Sequence, residues 1–134
     1  MKILHTSDWH LGQQLFEYDR SEEQQDFLRQ LCHWVAAEQP DALIVSGDVF
    51  HSCSPSAAAQ RLYTDALVEF HETCPAMQII ITAGNHDSSS KLEINRNLWK
   101  YAGVTVVGSI RRDEAGQVDL ERHIVEVKNG RSEE

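Results

Sequence analysis

At 134 residues, with 41% hydrophobic and 25% charged side chains, the chain has the make-up of one globular domain and not of a disordered segment. Its 12 Lys and Arg against 21 Asp and Glu leave a net charge of −9, which excludes a basic module that grips nucleic acid by charge alone. No apolar run approaches the ~20 residues of a membrane span, and His5 and Asp8 interrupt the N-terminus before a signal-peptide core can form, so no membrane association is expected. Cys32, Cys53 and Cys74 form no C-x-x-C pair and are odd in number, so they read as free thiols of a reducing, cytoplasmic compartment.

Lys2 to His5 reads as a strand. Ser21 to Glu38 reads as a helix, with Ser21 as N-cap, acidic Glu22 and Glu23 in the first turn, and Phe27, Leu28, Leu31, Trp34 and Val35 on one face. Ala42 to Val45 is apolar without alternation, which predicts a central strand covered by helices on each side. Ser54-Pro55 predicts an N-cap followed by proline at the first helical position. That helix is expected to run to about His71, with Leu62, Tyr63, Ala66, Leu67 and Phe70 facing inward. Met77 to Thr82 predicts a third buried strand, Lys91 to Tyr101 a shorter helix, and Val104 to Val107 a fourth strand. After Ser109 the sequence turns polar, with a turn at Gly116, strand character in Val118 to Leu120 and His123 to Val127, and a frayed polar tail over 128–134. Strands alternating with helices predict an α/β fold with a mostly parallel sheet flanked by helices. In such sheets ligands sit beyond the carboxyl ends of the strands.

Those ends are where the chemistry collects. The first strand runs into Thr6-Ser7-Asp8-Trp9-His10, the second into Ser46-Gly47-Asp48, and the third into Ala83-Gly84-Asn85-His86-Asp87. Gly47 and Gly84 let the backbone turn sharply and approach a ligand. Taken singly, each has an ordinary reading: Asp8 as a turn residue, His10 as a loop histidine, Gly47-Asp48 as a turn dipeptide, Asn85 and Asp87 as caps of a following helix. Turn chemistry does not account for all three at successive strand ends. Carboxylate, imidazole and amide groups without paired thiols suit Mn, Zn or Fe.

Asp8-x-His10, Gly47-Asp48 and Gly84-Asn85-His86-Asp87 resemble the first three motifs of the calcineurin-like metallophosphoesterases. The longer strings His5-Thr6-Ser7-Asp8-Trp9-His10-Leu11-Gly12 and Gly47-Asp48-Val49-Phe50 resemble the SbcD family of bacterial DNA-repair nucleases, over about residues 1–110. The resemblance implies half of a β-sandwich with helices, residues 1–127 being the amino-terminal part of the nuclease domain. It also implies a two-metal phosphodiesterase acting as a DNA exonuclease and endonuclease in repair and recombination, with Mn the first choice of ion and Zn or Fe the second. Asp8 and His10 would bind the first ion, Asp48 would bridge both, and Asn85 would bind the second through its amide oxygen. His86 would act as general acid or transition-state stabiliser, with Asp87 orienting its ring and favouring the protonated form. The implied partners are DNA, an SbcC-type ATPase bound beyond this region, and a second copy of the chain meeting it through helices that carry Leu62, Tyr63, Leu98, Trp99 and Tyr101.

Two departures stand out. The nuclease pattern has Asp three residues after the bridging Asp, where this chain has His51. The family's later Gly-His-x-His pair is missing, since only His123 follows His86. The chain is therefore expected to be the amino-terminal part of a longer enzyme, holding metal weakly and nearly inactive by itself. The rival readings are a phosphatase of the same superfamily and a non-catalytic α/β interaction or dimerisation module. Trp9 is expected to pack rather than to meet DNA, and Lys91, Arg96, Lys100, Arg111 and Arg112 to form a solvated face rather than a DNA track.

Overall fold

Short apolar runs closed off by Gly, Asp and Ser become strands, and the longer periodic segments become helices. In chain order these are β1 (Ile3–Thr6), β2 (Gln14–Leu15), β3 (Tyr18–Asp19), α1 (Ser21–Glu38), β4 (Ala42–Ser46), α2 (Ala57–Thr73), β5 (Gln78–Thr82), α3 (Arg96–Trp99), running on into a 3-10 turn (Lys100–Ala102), and β6 (Val104–Val107). The computed structural model describes residues 1–15, 18–19, 21–52, 54–84, 96–108, 114–117 and 124–127. β1, β4, β5 and β6 form one parallel sheet in that spatial order, and β2 and β3 form a small antiparallel ribbon. The ribbon had no signal in the sequence. The predicted helix start at Lys91, and the predicted strand over Val118 to Leu120, lie outside the described residues. The strand expected for His123 to Val127 is not formed over its described part, residues 124–127.

The register explains the core. Leu4, Leu43, Ile79 and Val104 lie side by side, as do Thr6, Val45, Ile81 and Val106. Leu43, Val45, Ile79, Ile81, Val104 and Val106 are buried in one cluster with Leu28, Leu31 and Val35 of α1 and Tyr63, Leu67 and Phe70 of α2. Both helices therefore cover the same face. A strand order that follows the chain, with right-handed crossovers, puts successive helices on one side. The alternate residues Ile44, Ile80 and Thr105 point the other way and are only half-buried. This corrects the expectation of helices on each side of β4: among the described residues the second face has no helix over it.

The helix stripes are also narrower than predicted. Leu28, Leu31, Cys32 and Val35 are buried, whereas Phe27 and Trp34 remain 43% and 59% exposed at the margin of the stripe. In α2 the cap is Ser56 and not Ser54: the Ser56 side chain accepts a hydrogen bond from the Ala59 amide at 3.1 Å, and its carbonyl accepts from the Gln60 amide. Pro55 thus precedes the cap. Ser56→Ala should lower stability by about 1 kcal/mol, the usual cost of a lost N-cap, as read by urea unfolding. An unchanged unfolding midpoint would show that Ser54 or solvent takes over the orphan amide.

Candidate metal centre

The segments that leave β1 and β4 stay paired beyond the sheet. The Asp8 amide donates to the Gly47 carbonyl (3.1 Å), His10 to Asp48 (3.0 Å), Leu11 to Val49 (3.0 Å) and His51 back to Leu11 (3.1 Å). Leu11 and Phe50 form a parallel bridge, and the Gly47 amide donates to the Thr82 carbonyl at the end of β5 (2.9 Å). Three strand ends are thereby tied together by backbone alone.

Within this mesh Asp8, His10 and Asp48 all have left-handed backbones, with φ of 55°, 49° and 49°. Among the described residues the one other non-glycine with positive φ is Gln39. Such conformations cost energy and persist where the surroundings over-determine them, which is commonest at functional sites. Here they turn the side chains of three nearby positions toward one another. One ligand atom from each of Asp8, His10 and Asp48 lies within 4.8 Å of the others, and His10 Nε2 stands 3.8 Å from Asp8 Oδ1. Ligand atoms bound at about 2.0–2.2 Å to one ion stand roughly 3–4 Å apart, so small rotamer adjustments bring these three onto a shared divalent cation. Two carboxylates and an imidazole are a donor set suited to Mn, Zn or Fe. The residues present fit the ion.

Gly84 makes room for this arrangement. A Cβ on Gly84 would collide with the Asp48 amide nitrogen and carboxylate Oδ1 and stand 2.8 Å from its Cγ, while a Cβ on Gly47 would stand 3.1 Å from the Gly84 Cα. Gly84 thus approaches the Asp48 carboxylate closely, and Gly47 approaches the Gly84 backbone. Asn85, His86 and Asp87 lie outside the described residues.

Trp9, between Asp8 and His10 of the first motif, is 5% exposed. Its indole N–H donates to Thr6 Oγ1 (3.0 Å), and its ring meets Phe27 and Phe70 edge-on at 6.5 and 6.4 Å. It packs, as expected, and turns Asp8 and His10 outward by doing so. His51 is exposed, with its ring 5.8 Å from that of His10. It is not one of the three residues whose ligand atoms converge. The buried thiols of Cys32 and Cys74 are engaged with Thr73 Oγ1 (3.3 Å) and the Pro40 carbonyl (3.7 Å). Burial pushes the Cys32 thiol up, which suits an inert structural cysteine. Cys53 lies outside the described residues.

Two residues that serve the site are not evident from the motifs. Thr6 anchors Trp9, and Gln24 of α1 holds the backbone of the loop that carries His10. A signal for Gln24 is present: it sits four residues before Leu28, extending the buried stripe by one turn with a polar side chain.

Residues 1–133 match the Metallophos family model, described as calcineurin-like phosphoesterase. Among curated proteins, the chain is 43% identical over 129 residues to the SbcD component of the nuclease SbcCD from Rhodobacter capsulatus, a match that covers 96% of this chain and 32% of that protein. It is 42% identical over 109 residues to the SbcD component from Escherichia coli K12, and 37% identical over 108 residues to that from Bacillus subtilis; each match covers 81% of this chain and 27% of the relative. The chain thus spans about a third or less of the length of these relatives.

Proposed function

Because this chain belongs to the calcineurin-like phosphoesterase family, we propose that it is the amino-terminal, metal-binding part of an SbcD-like nuclease that hydrolyses phosphodiester bonds in DNA. The convergence of Asp8, His10 and Asp48 at the carboxyl edge of a parallel sheet carries this reading. The likeness to three relatives named as components of a nuclease supports it. Two divalent ions, Mn in first place and Zn or Fe in second, supply Lewis-acid polarisation and a nucleophile at neutral pH when bound. Asp8 and His10 would hold the first ion, Asp48 would serve both, and Asn85 would offer its amide oxygen to the second. His86 gives a proton to the leaving sugar oxygen, and Asp87 orients its ring and favours its charged form. With a net charge of −9 the chain repels DNA at long range, and cations in the site offset that repulsion where the phosphate must sit.

Residues 1–127 belong to the nuclease domain in this reading, with 128–134 as a polar tail. The partners are DNA, an SbcC-type ATPase contacted outside this chain, and a second copy. Leu98 and Tyr101 are 70% and 92% exposed, which favours such a contact. No helix among the described residues is long and apolar enough to cross a membrane. The compartment we assign, from three cysteines without a C-x-x-C pair, is the cytoplasm. In a protein of the relatives' length carrying this sequence, His86→Ala should slow Mn-dependent DNA cleavage by about 10²–10⁴-fold, the usual contribution of a general acid. Unchanged cleavage would remove His86 from the mechanism. Faster turnover of p-nitrophenyl phosphate than of DNA would favour the phosphatase reading.

A further inference from the structure

The loop that carries His10 is held from both edges. On one edge, Leu11 uses its own amide and carbonyl to pair with Val49 and His51. The His10 carbonyl and the Gly12 amide take no part in that pairing and are met from the other side. Gln24 of α1 occupies this second edge. Its Oε1 accepts from the Gly12 amide and its Nε2 donates to the His10 carbonyl, both at 3.1 Å. A single side-chain amide thus makes the two bonds that a neighbouring strand residue would make in a parallel ladder. The same carbonyl also accepts from the Gln13 amide (3.0 Å), closing a tight turn. His10 and Gly12 both have left-handed backbones, with φ of 49° and 92°, so the segment has two hinges that need restraint.

We propose that Gln24 is a positioning residue for the metal centre: its side-chain amide replaces a missing strand and fixes the backbone from which His10 reaches the ion. The inference rests on the metal reading of Asp8, His10 and Asp48. Gln24 touches neither ion nor substrate. Its effect passes through the His10 carbonyl and the Gly12 amide, as hydrogen-bonded supports of metal ligands generally act.

Gln24→Met keeps the length and helix preference of the side chain and removes both bonds. Gln25→Met, at the exposed neighbouring position of α1, is the control. Mn²⁺ binding to the 134-residue chain is followed by electron paramagnetic resonance of free and bound ion, and Gly12 amide exchange by NMR. Gln24→Met should weaken Mn²⁺ binding by about 10-fold or more at unchanged stoichiometry, within the range found for such supports. It should also accelerate Gly12 exchange, while Gln25→Met leaves both untouched. A merely structural role would lower the fraction of chains that bind and leave the affinity of the rest intact. Equal Mn²⁺ affinity in Gln24→Met and the unsubstituted chain overturns the proposal, as does the same loss in Gln25→Met. Absence of Mn²⁺ binding in the unsubstituted chain instead removes the metal reading, and this inference with it.

Discussion

Asp48→Gly should raise the Mn²⁺ dissociation constant by more than about 100-fold, because it deletes the carboxylate that the mechanism asks to serve both ions. The metal-free chain should change in stability by no more than about 1 kcal/mol. Three terms bear on the sign. Asp48 has a φ of 49°, where a side chain is strained and glycine is not. Its carboxylate shares a small volume with that of Asp8, so removing one relieves repulsion between like charges. Against these stands the greater freedom of glycine in the unfolded chain, about 0.5–1 kcal/mol. The hydrogen bond from the His10 amide to the carbonyl of residue 48 is a backbone bond and survives the change. Calorimetric Mn²⁺ titration and urea unfolding without metal read the two effects separately. Retained Mn²⁺ affinity would end the case for this metal centre. A clear loss of stability would recast Asp48 as a structural residue.

Phe70→Ala should cost about 3–5 kcal/mol, the usual penalty for emptying a fully buried aromatic site. That is a large share of the 5–15 kcal/mol typical of a whole domain. Phe70 is 0% exposed on α2, and its ring meets that of Trp9 edge-on at 6.4 Å with 62° between planes. Trp9 stands between Asp8 and His10, so the cavity loosens the wedge that turns both side chains outward. Weaker Mn²⁺ binding should therefore accompany the loss of stability. Leu67→Ala is the comparison: Leu67 is equally buried on α2, and its truncation should cost about 2–5 kcal/mol while sparing Mn²⁺ affinity. Urea unfolding and Mn²⁺ titration of both variants check this. An unaltered affinity in Phe70→Ala would mean that the hydrogen bond from Trp9 to Thr6 suffices to hold the loop.

Local pattern was enough to find the four strands of the main sheet, because each is an apolar run closed by turn-forming residues. It was enough for α1, predicted and observed over Ser21–Glu38. The motif residues Asp8, His10 and Asp48 were legible for the same reason: in a parallel sheet, whatever follows a strand lands at one edge. The choice between Ser54 and Ser56 as cap was not legible, since both are good caps and the packing of α2 selects between them. The ribbon of β2 and β3 is two residues deep on each side and leaves no periodic trace.

What the amino-acid order determined by itself, then, is which segments are strands and helices and which donor groups lie at the strand ends, because hydrophobic period and turn chemistry are properties of neighbours in the chain. Tertiary structure alone decided that both helices share one face of the sheet, that the Asp48 carboxylate rests where Gly84 has no Cβ, and that an amide from α1 clamps the His10 loop. The last two depend on contacts between residues 12 to 36 positions apart, and only the crossover hand and the packing of whole elements bring such residues together.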